Sequence, residues 1–267
     1  MTPGMSWIPS GRPLVFGHRG GSKLAPENTT AAFDRAVAEG VDGLELDVRL
    51  ARDGEVVVCH DARLERTTDS AGAIAEFTSA ELSRVDAGFR FTAADGTTPF
   101  RGRGIGVPTL GEVVARYPHH SLIVEMKDDT TAMAEAVVAV LSGAGALERV
   151  CLGSFAPGVL RRARRLARGT ASSASRDEVL RALFWARLGW LSPFRRYQAL
   201  QVPEGGRGWR VVTPRFVRAA KRSGVPVQVW IVDGADDIRR LLDWGVDAVI
   251  TDRPDVAVRT VAEWNRG

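Results

Sequence analysis

The sequence predicts an α/β protein, a (β/α)8 barrel (TIM barrel) with a small insertion after the second strand. Three observations lead there. Short β-rich runs alternate with helical stretches nearly from end to end, most of the runs are apolar on both faces, and close to eight such units fit within 267 residues. A doubly wound open sheet is the competing arrangement. Against it, no G-x-G-x-x-G or G-x-x-x-x-G-K-[ST] loop follows the first strand, and polar residues gather at strand C-terminal ends.

The first strand is LVFGHRG (Leu14 to Gly20), the first helix TTAAFDRAVAEG (Thr29 to Gly40) and the second strand GLELDVRL (Gly43 to Leu50). The Asn28-Thr29 pair can cap the helix and Gly40 can end it. An Asp53-Gly54 turn leads into another strand at Val56 to Asp61, so a β-ribbon follows the second strand. From Ala62 to Gly106 the alternation lapses into polar, Gly-rich sequence with one short helix near Ser79 to Val85, too long for a routine loop and read as an insertion within a single domain spanning residues 1–267. The rhythm resumes with a helix at Thr109 to Tyr117, a strand at Leu122 to Lys127, a helix at Thr131 to Ala144, a strand at Val150 to Phe155 and a helix at Pro157 to Arg168. A weak strand at Gly169 to Ala174 and an apolar helix follow, then strand Leu200 to Glu204, helix Pro214 to Gly224, strand Val227 to Val232, helix Asp236 to Trp244 and strand Ala248 to Asp252.

Composition narrows the function classes. Hydrophobic residues make up 45%, enough for a full core, and Lys plus Arg number 36 against 32 acidic residues, a formal charge of +4. Distribution says more than the total. Arg161 to Arg222 holds 16 basic and 3 acidic residues, so the rest of the chain is net acidic. Cys59 and Cys151 sit in apolar runs, without zinc or disulfide spacing, as small buried hydrophobes. The N-terminus lacks a signal-peptide pattern and no apolar run approaches the ~18 residues of a membrane span, which together predict a cytoplasmic protein.

The chemistry-bearing residues lie at strand ends. His18 and Arg19 close the first strand, Glu45 and Asp47 sit two apart on the second, His60 ends the ribbon, and Glu125 and Lys127 sit two apart on a later strand. Spacing of two places each pair on one strand face, and charges facing a barrel interior are costly to bury unpaired, so a shared site is the simplest reading. Glu45, Asp47 and Glu125 are hard oxygen ligands suited to one divalent ion, Ca²⁺ or Mg²⁺, with Mn²⁺ admitted by the same chemistry. The alternative is that they pair with Arg19, Arg49 and Lys127 as structural salt bridges. His18 and His60 point to acid/base catalysis, against the alternative of satisfied core imidazoles; His119 and His120, between a helix and a strand, read as solvent-facing. Arg19 and Lys127 suit the oxygens of a phosphoryl group.

These residues lie within a longer pattern that resembles the glycerophosphodiester phosphodiesterase family: GHRG (Gly17 to Gly20) and PENT (Pro26 to Thr29), ELDVRLARDGEVVVCHD (Glu45 to Asp61), LERTTD (Leu64 to Asp69), VPTLGEV (Val107 to Val113), VEMK (Val124 to Lys127), Ser154-Phe155, and VWIVDG through GVDAVITDRPD (Val229 to Asp255). The resemblance runs nearly end to end and is poor from about Ala156 to Ala199. It implies a (β/α)8 barrel with a small insertion, His18 and His60 as the acid/base pair, Glu45, Asp47 and Glu125 as metal ligands, and Arg19 and Lys127 as phosphate contacts. Glu27 would line the site, positioning Arg19 or a substrate hydroxyl, unless its role is in the turn; Trp230 would wall the pocket, unless it is an ordinary core aromatic. Asp233 departs from the family, which commonly has Asn there, and an added carboxylate could change headgroup preference. The implied reaction, part of glycerol and lipid metabolism, is metal-dependent hydrolysis of a glycerophosphodiester to a glycerol phosphate and an alcohol. A lysophospholipase D acting on lysophospholipids at a membrane surface is the alternative, and a non-catalytic anion-binding barrel a further one. No nucleic-acid partner is expected and the oligomeric state stays open.

The basic segment adds an expectation of its own: peripheral contact with an anionic membrane. Leu180, Phe184, Leu188 and Leu191 form a helical stripe that can face the barrel, leaving Trp185, Trp190 and Phe194 beside Arg187, Arg195 and Arg196 for the headgroup region. An outer barrel helix with a solvated basic face, or a dimer interface, is the alternative.

Overall fold

The computed structural model describes residues 11–206 and 209–266. In chain order the elements are β1 (Leu14–His18), α1 (Thr30–Glu39), β2 (Gly43–Leu50), β3 (Val56–Val58), α2 (Ser79–Leu82), α3 (Leu110–Arg116), β4 (Ser121–Met126), α4 (Thr131–Gly143), β5 (Val150–Gly153) and α5 (Pro157–Leu166). They continue with β6 (Ala171–Ser172), α6 (Arg176–Ala186), β7 (Leu200–Pro203), β8 (Gly205–Gly206), β9 (Trp209–Arg210), α7 (Pro214–Arg222), β10 (Val227–Trp230), α8 (Ala235–Asp243), β11 (Ala248–Thr251) and α9 (Pro254–Trp264).

Eight strands pair in parallel in the order β6-β5-β4-β2-β1-β11-β10-β7. The two ends of that path meet where Ser173 bridges Ala199 in parallel, which closes the barrel. β3 lies outside the circle and pairs antiparallel with β2, the ribbon that the Asp53-Gly54 turn predicts. Local chemistry sets the helix boundaries. Thr29 caps α1 by accepting from the Ala32 amide and Gly40, at φ 90, ends it; Thr78 with Glu81 and Thr109 with Glu112 form capping boxes; and α5, α7 and α9 open on proline. The sequence reading passed over α9 and the short β8-β9 hairpin.

Alternation along each strand divides the core in two. Leu44, Leu46 and Val48 of β2 and Leu122, Val124 and Met126 of β4 face the helices, within one large apolar layer. Leu14, Phe16, Ile123, Cys151, Ala199, Ala248 and Ile250 fill the barrel interior. Continuing the interior rows toward the strand C-termini brings His18 after Phe16 and Glu125 after Ile123, so the same pleat that fills the barrel delivers polar groups at its mouth. Both cysteines are free and buried.

Residues 62–106 carry a 3-10 turn at Ile74–Glu76 and α2, gathered around a satellite core that includes Leu64, Ile74, Leu82 and Val107. One reading is overturned in α6. This helix buries Ala182 and Ala186, whose small side chains admit close packing, while Leu180, Phe184 and Leu188 are exposed. Of the stripe expected to face the barrel, only Leu191 is buried. Among the described residues no helix is long and apolar enough to cross a membrane.

Candidate active site

Strand register assembles the site. His18 pairs with Glu45 across β1 and β2, and Asp47 with Glu125 across β2 and β4, so residues distant in sequence become lateral neighbours. A cavity of about 400 Å³ opens at this end of the barrel, lined by His18, Arg19, Glu45, His60, Glu125, Lys127 and Trp230 among others. Asp47 and Glu27 stand behind that lining. Asp47 is buried against Arg19, whose Nε is 3.0 Å away, and Lys127, whose Nζ is 2.9 Å away. Glu27 accepts from Arg19 at 2.8 Å and from Arg66 at 2.7 and 2.8 Å, a positioning contact rather than a place on the wall.

The cluster holds more negative charge than its cations cover. One oxygen each from Glu45, Asp47 and Glu125 lie within 4.8 Å of one another. The salt-bridge alternative holds for Asp47, and in part for Glu125, whose Oε1 is 3.0 Å from Lys127 Nζ yet has no donor aligned on it. Arg49 goes elsewhere, to Asp128 at 2.5 Å and the His60 carbonyl at 2.9 Å. Glu45 pairs with no lysine or arginine side chain among the described residues; its contacts are the Arg19 amide at 3.0 Å and His18 Nε2 at 3.9 Å. Burial and the adjacent Asp47 charge push Glu45 well above the usual carboxylate range. Burial likewise raises Glu125, which Lys127 only partly offsets, whereas Lys127 and Arg19 outweigh burial at Asp47 and hold it low. A buried, crowded set of hard oxygen donors fits a divalent cation.

Each histidine is oriented by a carboxylate that the sequence reading did not assign. His18 Nδ1 lies 2.7 Å from Asp252 Oδ1, and His60 Nδ1 lies 2.6 Å from Asp61 Oδ1. Ionised carboxylates only accept, so Nδ1 donates in both cases and Nε2 is left free to exchange a proton. Burial alone would lower His18, but Glu45 and then Asp252 more than offset it and the net shift is upward. Arg66 bonds the second oxygen of Asp61 and, with His60, outweighs burial to draw that carboxyl down to about 2. Arg66 is how the 62–106 segment reaches the site, since no residue of that segment lines the cavity.

Two of these partners carried a sequence signal. Asp61 adjoins His60, and Asp252 directly follows β11, at the end of the barrel where the other strands bear their polar groups. Asn28 carried none. Its amide donates to Asp47 at 2.9 Å and its carbonyl oxygen accepts from the Asp47 amide at 3.2 Å, so it braces a buried carboxylate while Thr29 alone caps α1. Among the described residues, Arg19 and Asn28 are the non-glycine positions at positive φ, 50° and 57°, and both belong to this site. Gly20 between them is required: at φ 83 a Cβ would come within 2.7 Å of Ala32. His119 is exposed and His120 half-buried, away from the cavity.

Asp233 does not face the cavity. Its Oδ1 accepts from Thr251 Oγ1 and the Asp252 amide, both at 2.8 Å, and its Oδ2 accepts from Lys23 at 2.8 Å. It therefore holds the backbone that presents Asp252 to His18. Asp233→Asn keeps an acceptor for those donors and loses an exposed ion pair worth about 0–1 kcal/mol. The ratio of kcat/KM between two diesters of different headgroup is expected to stay within roughly twofold in Asp233→Asn; a larger change would return this side chain to substrate selection.

A closed barrel with paired histidines, a carboxylate cluster and two cations at its C-terminal mouth is the arrangement of a hydrolase that handles an anionic ester. The chain belongs to the glycerophosphoryl diester phosphodiesterase family, whose sequence profile matches residues 18–256. It is 32% identical over 253 residues to a glycerophosphodiester phosphodiesterase of Caldanaerobacter subterraneus subsp. tengcongensis, covering 93% of this chain and 97% of the relative. A Bacillus subtilis glycerophosphodiester phosphodiesterase is 29% identical, with 92% and 85% covered. Among solved structures, the glycerophosphoryl diester phosphodiesterase domain of a Mycobacterium tuberculosis protein matches with TM-score 0.83 and 27% identity over 93% of this chain and 99% of that one. An Oleispira antarctica phosphodiesterase in complex with the product sn-glycerol-3-phosphate matches with TM-score 0.77 and 26% identity, over 94% and 97%.

Proposed function

We propose that this enzyme hydrolyses glycerophosphodiesters to a glycerol phosphate and an alcohol by histidine acid/base catalysis with one divalent cation, Ca²⁺ or Mg²⁺, or Mn²⁺ by the same ligand chemistry. The observation that carries the reading is the meeting, on one cavity, of two carboxylate-oriented imidazoles with a buried carboxylate cluster. The product bound in the Oleispira relative supplies the reaction class.

Glu45, Asp47 and Glu125 would hold the cation, which when bound would add positive charge for the phosphoryl oxygens. Arg19 and Lys127 stand at the same wall and stabilise charge that grows there in the transition state. One histidine takes a proton from the nucleophile at Nε2 and the other returns one to the leaving oxygen, Asp252 and Asp61 keeping both rings in the productive tautomer. Glu27 fixes Arg19 from behind. Trp230 closes the wall, edge-on to Phe155 with ring centroids 6.4 Å apart. Water and a neighbouring glycerol hydroxyl are both served by this arrangement; phosphorus NMR separates them by the absence or appearance of a transient cyclic phosphate. The primary test is release of a glycerol phosphate from a panel of glycerophosphodiesters, and no turnover on any member would remove the proposal.

A specific observation favours a second reading, a lysophospholipid as substrate. The cavity lining also includes Phe155, Leu180, Leu183, Val211 and Ile231, more apolar surface than a glycerol or choline group needs. If an acyl tail lies there, kcat/KM for a lysophospholipid exceeds that for the deacylated diester of the same headgroup by roughly tenfold or more. Equal values, or a preference for the deacylated diester, would assign that apolar lining to other use.

A further inference from the structure

The outward face of α6 is built unlike that of a solvated barrel helix. Leu180, Phe184 and Leu188 follow one another at successive turns and are 51%, 64% and 66% exposed, while the side turned to the barrel is held by Ala182 and Ala186. Trp190 and Phe194, just beyond the helix, are 57% and 88% exposed. Arg176, Arg181 and Arg187 of the same helix segment are exposed beside the stripe.

Three hollows meet along this helix. Leu180 belongs to the rim of the active-site cavity, with the exposed Phe155 and Ile231. Leu180, Leu183 and Phe184 also line a second hollow, which ends on Arg187, Arg210 and Arg215. On the other flank a third hollow of about 410 Å³ gathers Arg161, Arg181 and Arg196 beside Phe194, with Asp177 and the Arg164-bound Glu178 also in its lining. None of those three arginines is paired with a carboxylate among the described residues. Apolar side chains are thus flanked on both sides by arginines without a carboxylate partner among the described residues, and Leu180 and Leu183 carry the apolar row into the lining of the active-site cavity.

We propose that the α6 face docks on an anionic phospholipid surface, its apolar stripe and aromatic side chains entering the headgroup layer and the Arg161, Arg181, Arg196 hollow taking a lipid phosphate. Charge chooses this occupant. A second copy stacked on the same face would bring two arginine rims together, and like charges oppose that contact, whereas an anionic leaflet complements them. Aromatic and aliphatic side chains among arginines are the composition of an interfacial helix. The docked barrel holds its cavity mouth at the lipid layer, where lipid-derived diesters are found. The docking stands whichever diester is the substrate.

The test is sedimentation of the full-length protein with phosphatidylglycerol vesicles and with phosphatidylcholine vesicles, at low and high salt, beside its oligomeric state by sedimentation velocity. Binding to the phosphatidylglycerol vesicles alone, weakened by salt, is expected. Phe184→Ser combined with Leu188→Ser is expected to lower that binding roughly 10-fold or more, and Arg181→Glu combined with Arg196→Glu to abolish it. All four side chains are exposed, so melting temperature and turnover of a soluble diester stay at wild-type values. No sedimentation at low salt, equal binding to both lipids, or vesicle binding unchanged in both variants would overturn the proposal. So would a dimer that these substitutions dissociate in a protein that ignores vesicles.

Discussion

His18→Ala and His60→Ala are each expected to lower kcat by roughly 10²–10⁴ with the fold intact, since each removes one proton-transfer partner. Neither ring is a core element. Both border the cavity and each is tied to its surroundings through Nδ1, to Asp252 and to Asp61. Asp252→Asn and Asp61→Asn keep the size of the partner but replace an acceptor-only group by one that can donate, so they are expected to cost less than loss of the ring and to alter the pH profile of kcat. Turnover near the wild-type value in either alanine variant, with an unchanged thermal melt, would remove that histidine from the chemistry.

Loss of a cluster carboxylate is the second large effect. Glu45→Gln, Asp47→Asn and Glu125→Gln are each expected to raise the Ca²⁺ or Mg²⁺ concentration needed for half-maximal activity by roughly 10-fold or more, because even outer contacts of a metal site cost 10–100-fold in affinity. A readout without turnover accompanies it. A cation that binds only the folded protein raises stability by about 2.7 kcal/mol at 100 times its dissociation constant, so the melting temperature of the wild type rises on adding metal. That rise should shrink in each variant. Glu45→Gln is the most telling of the three in the absence of metal: it removes a buried carboxylate that lacks a lysine or arginine partner, so it should stabilise the metal-free protein while weakening its response to the ion. A metal response equal to the wild type in all three would place the ion elsewhere.

Strand and helix order was legible because each unit announces itself locally: Thr29 and Gly40 bracket α1, Thr109 opens α3, and prolines open α5 and α7. Spacing of two along β2 and β4 was enough to put Glu45 with Asp47, and Glu125 with Lys127, on one face. It did not supply the register across strands, which is what sets His18 beside Glu45 and Asp47 beside Glu125. Contacts made across the barrel were illegible for the same reason: Asp252 is 234 residues from the histidine it orients. Arg66 and Asn28 act through loops, where no periodicity marks the direction of a side chain. The α6 stripe failed differently. A helical wheel locates an apolar face without saying which face packs, and here the close packing against the barrel falls to Ala182 and Ala186. Asp233 stood out as a departure from the family pattern, yet its oxygens turn to Thr251, Asp252 and Lys23 instead of the cavity.

The central claim, a cation-dependent diesterase built on these residues, meets its most direct test in one assay: turnover of a glycerophosphodiester panel by the purified protein, with EDTA and after replacing the chelator with Ca²⁺ or Mg²⁺. Release of a glycerol phosphate that stops in chelator and returns with the ion is expected. Full turnover in chelator, or ion binding with no turnover on any diester, would contradict it.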